Sequence, residues 1–208
     1  RVERTRQRPL ARGAIRPVSA RLLLIVLLAI SLSVVLSLDE VSRQICLLLS
    51  ISALPAILLY PSAKRWCAYP QAVLAFCWGF AVLIPWAAAE RSLALQPALI
   101  GCWLATVLWT FGFDTVYAMA DRRDDAVIGL NSSALSLGNR AVFTVRACYG
   151  FTVVALGTAA CSTGIHPVFW LFWLGASLLM QISCRSLNQG NAAMAVSYTH
   201  LTLPTMRT

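Results

Sequence analysis

Six apolar runs, each about as long as a bilayer is thick, constrain this chain more than anything else in it. They cover residues 22–38, 44–60, 69–89, 93–113, 141–161 and 168–187. A helix needs about 20 predominantly apolar residues to cross the hydrocarbon core, so each run reads as one transmembrane helix. The composition agrees, at 59% hydrophobic and 12% charged residues. An all-α polytopic bundle is the expected fold, because a helix satisfies its own backbone hydrogen bonds in lipid. Pro55, Pro85 and Pro97 fall in or beside these runs, and membrane helices tolerate proline.

The formal charge of +9 raises the question of nucleic acid, but its distribution answers otherwise. Seven arginines lie within residues 1–21, just ahead of the first apolar run. That is the pattern of a juxtamembrane segment facing the cytoplasm, where it meets anionic lipid. The loops then alternate. Lys64 and Arg65, the segment 114–140 and Arg185 share a side with the basic N-terminal stretch, whereas Asp39, Glu40, Glu90 and Arg91 fall opposite. Counting lysine and arginine places the first set on the cytoplasmic side. The partner implied is the lipid bilayer, with no nucleic acid. The seven cysteines are scattered without a Cys-x-x-Cys pair, and read as small apolar residues.

Within this greasy background, four of the eight acidic residues crowd into residues 114–125, at the end of the fourth run. Carboxylates beside a membrane segment cost roughly 2.5–3.5 kcal/mol each at a helix centre and are retained for function. On a helix Asp114, Tyr117, Asp121 and Asp125 are spaced i, i+3, i+7 and i+11, which forms one stripe at about 3.6 residues per turn. Asp121 and Asp125 are one turn apart, near enough to share a cation. Mg²⁺ needs only one or two carboxylates when phosphate oxygens and water complete its shell, so the pair suits a Mg²⁺–diphosphate handle. The plainer alternative is a solvated loop with Arg122 and Arg123 paired to Asp124 and Asp125. Lys64 and Arg65, on the same side, suit the neutralisation of a diphosphate and equally suit membrane anchoring. Arg4 and Arg8, in the basic stretch before Gly13, suit an anionic substrate or an anionic lipid.

The segment Asp114-Thr-Val-Tyr-Ala-Met-Ala-Asp121-Arg-Arg-Asp-Asp125 closely resembles the second aspartate motif of UbiA-type intramembrane prenyltransferases, and within them the 4-hydroxybenzoate polyprenyltransferases. Val2-Glu-Arg-Thr-Arg-Gln-Arg8-Pro-Leu-Ala-Arg-Gly13, Tyr60-Pro-Ser-Ala-Lys64-Arg65 and the stretch from Pro70-Gln71 to Ala87 fit the same resemblance. Trp78 to Ala87 and Asn131-Ser-Ser are similar to its cyanobacterial branch. The resemblance runs from Arg1 to about Leu187. It implies a nine-span bundle, of which about six spans are present. It also implies Mg²⁺ held at Asp121 and Asp125, and a prenyl diphosphate contacted by Tyr117, Lys64, Arg65, Arg4 and Arg8. Asp114, Asp121 and Asp125 would be catalytic, and the prenyl group would pass to the ring of 4-hydroxybenzoate in quinone biosynthesis.

Against the family pattern, the first aspartate motif, expected just before Val2, does not appear. Residues 1–195 read as part of the membrane domain; residues 196–208 resemble translated sequencing-adaptor read-through and read as a non-native tail. The chain by itself is expected to be inactive. Asn131 stands where many relatives carry lysine. The expected setting is a bacterial inner membrane or a thylakoid, with the site on the cytoplasmic face. Two alternatives remain. One is a different UbiA-type acceptor: chlorophyll, homogentisate, menaquinone or haem precursors. The other is a cation-coupled membrane transporter, which would place carboxylates near the midplane on broken helices and show an internal repeat.

Overall fold

The structure is a computed structural model, and it describes residues 8–185 and Leu187. Arg4, proposed as a substrate contact, and the tail 196–208 lie outside the described residues.

Proline and capping side chains mark where the long helices start. Helix α1 (Pro17–Leu36), α3 (Pro70–Glu90) and α4 (Pro97–Ala120) each begin on proline, whose missing N–H is no loss in a first turn. Helix α2 (Glu40–Leu59) is capped by Asp39, which accepts a hydrogen bond from the Ser42 N–H. A 3₁₀ turn over Tyr60–Arg65 continues it. Two short helices follow α4: α5 (Arg122–Ile128) and α6 (Ser133–Leu137). Gly129, at φ 73°, closes α5 in the left-handed conformation that glycine adopts without strain. Helices α7 (Ala141–Thr163) and α8 (Val168–Arg185) complete the order. No strand occurs among the described residues.

Six helices are long and apolar enough to cross a membrane. They match the six runs of the sequence to within a few residues, except at one place. The fourth apolar run ends at residue 113, yet α4 continues to Ala120. Asp114 and Tyr117 are thus inside the spanning helix, and only Asp121 onward lies beyond its end. The polar side chains on one face do not interrupt the backbone ladder, so the helix outlasts the apolar run.

Spans that follow one another in the chain pack together: α2 on α3, α3 on α4, α7 on α8. The most extensive interface is α4 against α7. Lipid tails are as apolar as leucine, so close packing rather than hydrophobicity holds such helices together. Small residues supply it. A Cβ on Gly101 would lie 2.6 Å from the Ala155 carbonyl oxygen and 2.8 Å from the Ala159 Cβ. Gly112 admits the ring of the fully buried Tyr149 in the same way. At one end of the bundle Val116, Met119, Ala134, Val145 and Tyr149 form a core that unites α4, α6 and α7. This core supports the acid-bearing end of α4. By contrast α1 buries none of its residues, as expected of a helix facing lipid.

Candidate active site

Two stripe residues lie on α4, and a third, Asp121, caps its C-terminal end. Asp114, Tyr117 and Asp121 line a cavity of about 320 Å³ at the end of the bundle. Asp114 and Asp121 are separated by seven residues, about 10 Å of helical rise. They therefore serve different depths of the cavity, with Asp114 further into the membrane span. Asp121 sits at the junction of α4 and α5, at φ −88° and ψ 1°, where the helix axis can bend.

The opposite wall comes from the segment that joins α2 to α3. Tyr60 and Lys64 project from the 3₁₀ turn, and Gln71 from the second position of α3. Arg8 adds a guanidinium from ahead of α1. The cavity thus presents two carboxylates and two cations, on elements far apart in sequence. Lys64 and Asp121 share one end of the bundle, as the loop charges required.

Lys64 also has a second task. Its Nζ donates to both oxygens of Asp125, at 2.9 and 2.8 Å. Asp125 is completely buried, while the lysine side chain is 36% exposed. Burial pushes the Asp125 carboxyl above the ordinary carboxylate range, against the pull of the ammonium. The Lys64 carbonyl oxygen accepts from the Asn131 N–H at 2.8 Å, and the Ser136 hydroxyl donates to the Ala68 carbonyl at 2.6 Å. The segment after α5 is thereby strapped across the start of α3. Neither Arg122 nor Arg123 is the cation that Asp125 meets; the lysine 61 residues earlier in the chain is.

The candidates from the sequence accordingly separate. Asp114, Tyr117, Asp121, Lys64 and Arg8 converge on the cavity. Arg65 does not line it, and Asp125 lies behind it, held by Lys64. Gln71 and Tyr60 line the cavity without having been candidates. The one sequence signal for Gln71 is a carboxamide at the very start of an apolar span.

A metal ion fits this donor set in a limited way. Among the described residues no group of three or more His, Cys, Asp or Glu side chains is placed to hold a metal. Mg²⁺ does not require one, since a carboxylate, waters and phosphate oxygens complete its octahedron. Asp121 offers that carboxylate, and Asp125 would add a second only by exchanging its lysine partner.

The described residues form a polytopic helical bundle with a mixed acidic and basic cavity at one end. The model of the UbiA prenyltransferase family matches residues 1–201, and the chain belongs to that family. It is 42% identical over 170 residues to a 4-hydroxybenzoate solanesyltransferase of Synechocystis sp., covering 82% of this chain and 56% of that protein. It is 34% identical over 185 residues to a 4-hydroxybenzoate octaprenyltransferase of Janthinobacterium sp., covering 88% and 61%. A protein of the latter name from Methylobacillus flagellatus is 39% identical over 155 residues, covering 74% and 50%. The chain thus spans between half and two thirds of the length of these relatives. No solved structure matches significantly.

Proposed function

We propose that this chain forms the diphosphate-holding part of an enzyme that transfers a polyprenyl group from a prenyl diphosphate to the ring of 4-hydroxybenzoate, in quinone biosynthesis. The observation that carries the reading is the single cavity lined by Asp114 and Asp121 together with Arg8 and Lys64, in a chain similar to proteins named for that reaction. The proposed setting is a bacterial inner membrane or a thylakoid, with the cavity toward the cytoplasm, because the basic segments gather at that end.

Each residue then has a task that follows from its place. Arg8 and Lys64 bind the diphosphate oxygens and hold the leaving group at the membrane surface. Asp121 would hold Mg²⁺ at the cavity. Bound there, the ion would offset negative charge developing on the departing diphosphate. Tyr117, one turn deeper, orients the donor. The apolar spans receive the prenyl tail and keep water from the electron-poor allylic carbon. As the allylic carbon–oxygen bond breaks, the ring carbon ortho to the phenol forms the new bond. Loss of the ring proton at that carbon restores aromaticity. Asp114, deepest of the three, is placed to orient the acceptor or take that proton.

Asp121→Ala tests the assignment. In a full-length protein that includes this chain, it should lower Mg²⁺-dependent prenyl transfer by about a hundredfold or more, while insertion stays intact. Near-normal product from radiolabelled 4-hydroxybenzoate would remove Asp121 from the mechanism.

A further inference from the structure

Gln71 is 3% exposed and lines the cavity. One end of its carboxamide is accounted for: the Ser133 N–H donates to Oε1 at 2.8 Å. A backbone N–H can only donate, so this bond settles which end of the amide is which. The NH₂ is the other end, and among the described residues no hydrogen bond reaches it.

The side chain is also held in place from behind. The Ser133 and Thr115 hydroxyls lie 2.8 Å apart, and Thr115 Oγ1 in turn donates to the Phe111 carbonyl at 2.7 Å. Since the threonine proton is committed there, the serine hydroxyl donates to Thr115. Gln71 is thereby fixed relative to α4, one residue from Asp114, through a chain of satisfied buried groups. A donor held this rigidly, and facing a cavity, is preorganised for a ligand.

We infer that Gln71 is a substrate-positioning residue whose NH₂ donates to an oxyanion of the bound molecule. The inference rests on the proposed function. Two sources supply that chemistry in one cavity: the carboxylate of the aromatic acceptor and a phosphoryl oxygen of the donor. Arg8 and Lys64 supply charge, whereas a neutral carboxamide supplies direction.

A merely structural role for Gln71, as acceptor for the first N–H of α6, makes the opposite prediction for one substitution. Gln71→Glu keeps an oxygen for the Ser133 N–H and removes the donor. Gln71→Met removes both without adding charge. The experiment titrates the detergent-purified protein and both variants by calorimetry, with 4-hydroxybenzoate and, separately, with inorganic diphosphate plus Mg²⁺. Gln71→Glu places an unpaired carboxylate at a buried position and should unfold below the wild-type temperature; in the temperature range where it is folded it should bind one probe about tenfold or more weakly. Gln71→Met should weaken the same probe and spare the other, and the affected probe identifies the oxyanion. Wild-type affinity for both probes in a folded Gln71→Glu protein would overturn the inference, as would an equal loss on both probes in Gln71→Met. A wild-type protein that binds neither probe would instead bring down the proposed function, and this inference with it.

Discussion

Lys64 and Asp125 show how much one pair of side chains decides. A carboxylate with no exposed surface is tolerated only beside a cation that satisfies both of its oxygens, and Lys64 does so. Removing the ammonium alone would leave a buried negative charge. Lys64→Met should therefore cost about 2–3 kcal/mol, below the ~3–5 kcal/mol of a fully enclosed pair because the lysine is partly exposed. The double variant Lys64→Met/Asp125→Leu should recover much of that loss, since two apolar residues need no partner. Unfolding midpoints of the single and double variants in detergent measure both effects. A single variant as stable as the wild type would show that the pair does not hold α5 against the 3₁₀ turn. The same geometry separates the aspartates: Asp121 lines the cavity, while Asp125 is paired with Lys64.

At the scale of elements, packing and loop contacts hold the two ends of the bundle in different ways. The cavity end is tied by the strap from α5 to α6. The far end is tied by Asp39, which caps α2 and accepts from both Nε and a terminal nitrogen of Arg91 at 3.1 and 2.7 Å. Arg91 adopts φ 57° as α3 ends, which turns its side chain back toward the loop before α2. Hydrogen bonds from Ser42 and Arg91 hold the Asp39 carboxyl down at about 2, from an ordinary 3.8. A depressed pKa contributes stability that is present above the ordinary value and lost as pH falls through the depressed one. Acidification from about pH 4 to pH 2 should thus lower the unfolding temperature of the wild type more than that of Asp39→Asn. Identical pH profiles for the two proteins would show that the clasp carries no stability. The effect is small, because both partners are well exposed.

At the scale of the molecule, the bundle is built as neighbouring spans around α4, and α1, packed only lightly on α2, buries none of its residues. The proposed orientation follows from the loop charges. Val127, on α5, and Leu95, in the loop before α4, are both highly exposed and belong to opposite ends. Val127→Cys should react with a membrane-impermeant maleimide from the cytoplasmic side of vesicles and Leu95→Cys from the other, each measured over the native-cysteine background. Labelling of both from one side would contradict the proposed orientation.

The number of spans, their approximate limits and the gathering of acids and bases at one end were all legible in the sequence. Depth in a membrane is written in local composition: a run of about 20 apolar residues has one way to satisfy its backbone, and lysine and arginine settle its direction. The stripe Asp114–Tyr117–Asp121 was legible too, because helical periodicity is local. The partners of those residues were not. Hydropathy says how deep a residue lies but not which neighbour its helix turns toward. That rotation is set by tight contacts such as Gly101 on Ala155 and Gly112 on Tyr149, between residues far apart in the chain. Only the tertiary structure, therefore, gave Lys64 to Asp125 rather than to the cavity alone, carried α4 past the end of its apolar run, and brought Gln71 to the wall opposite Asp114, because each depends on how separate helices meet.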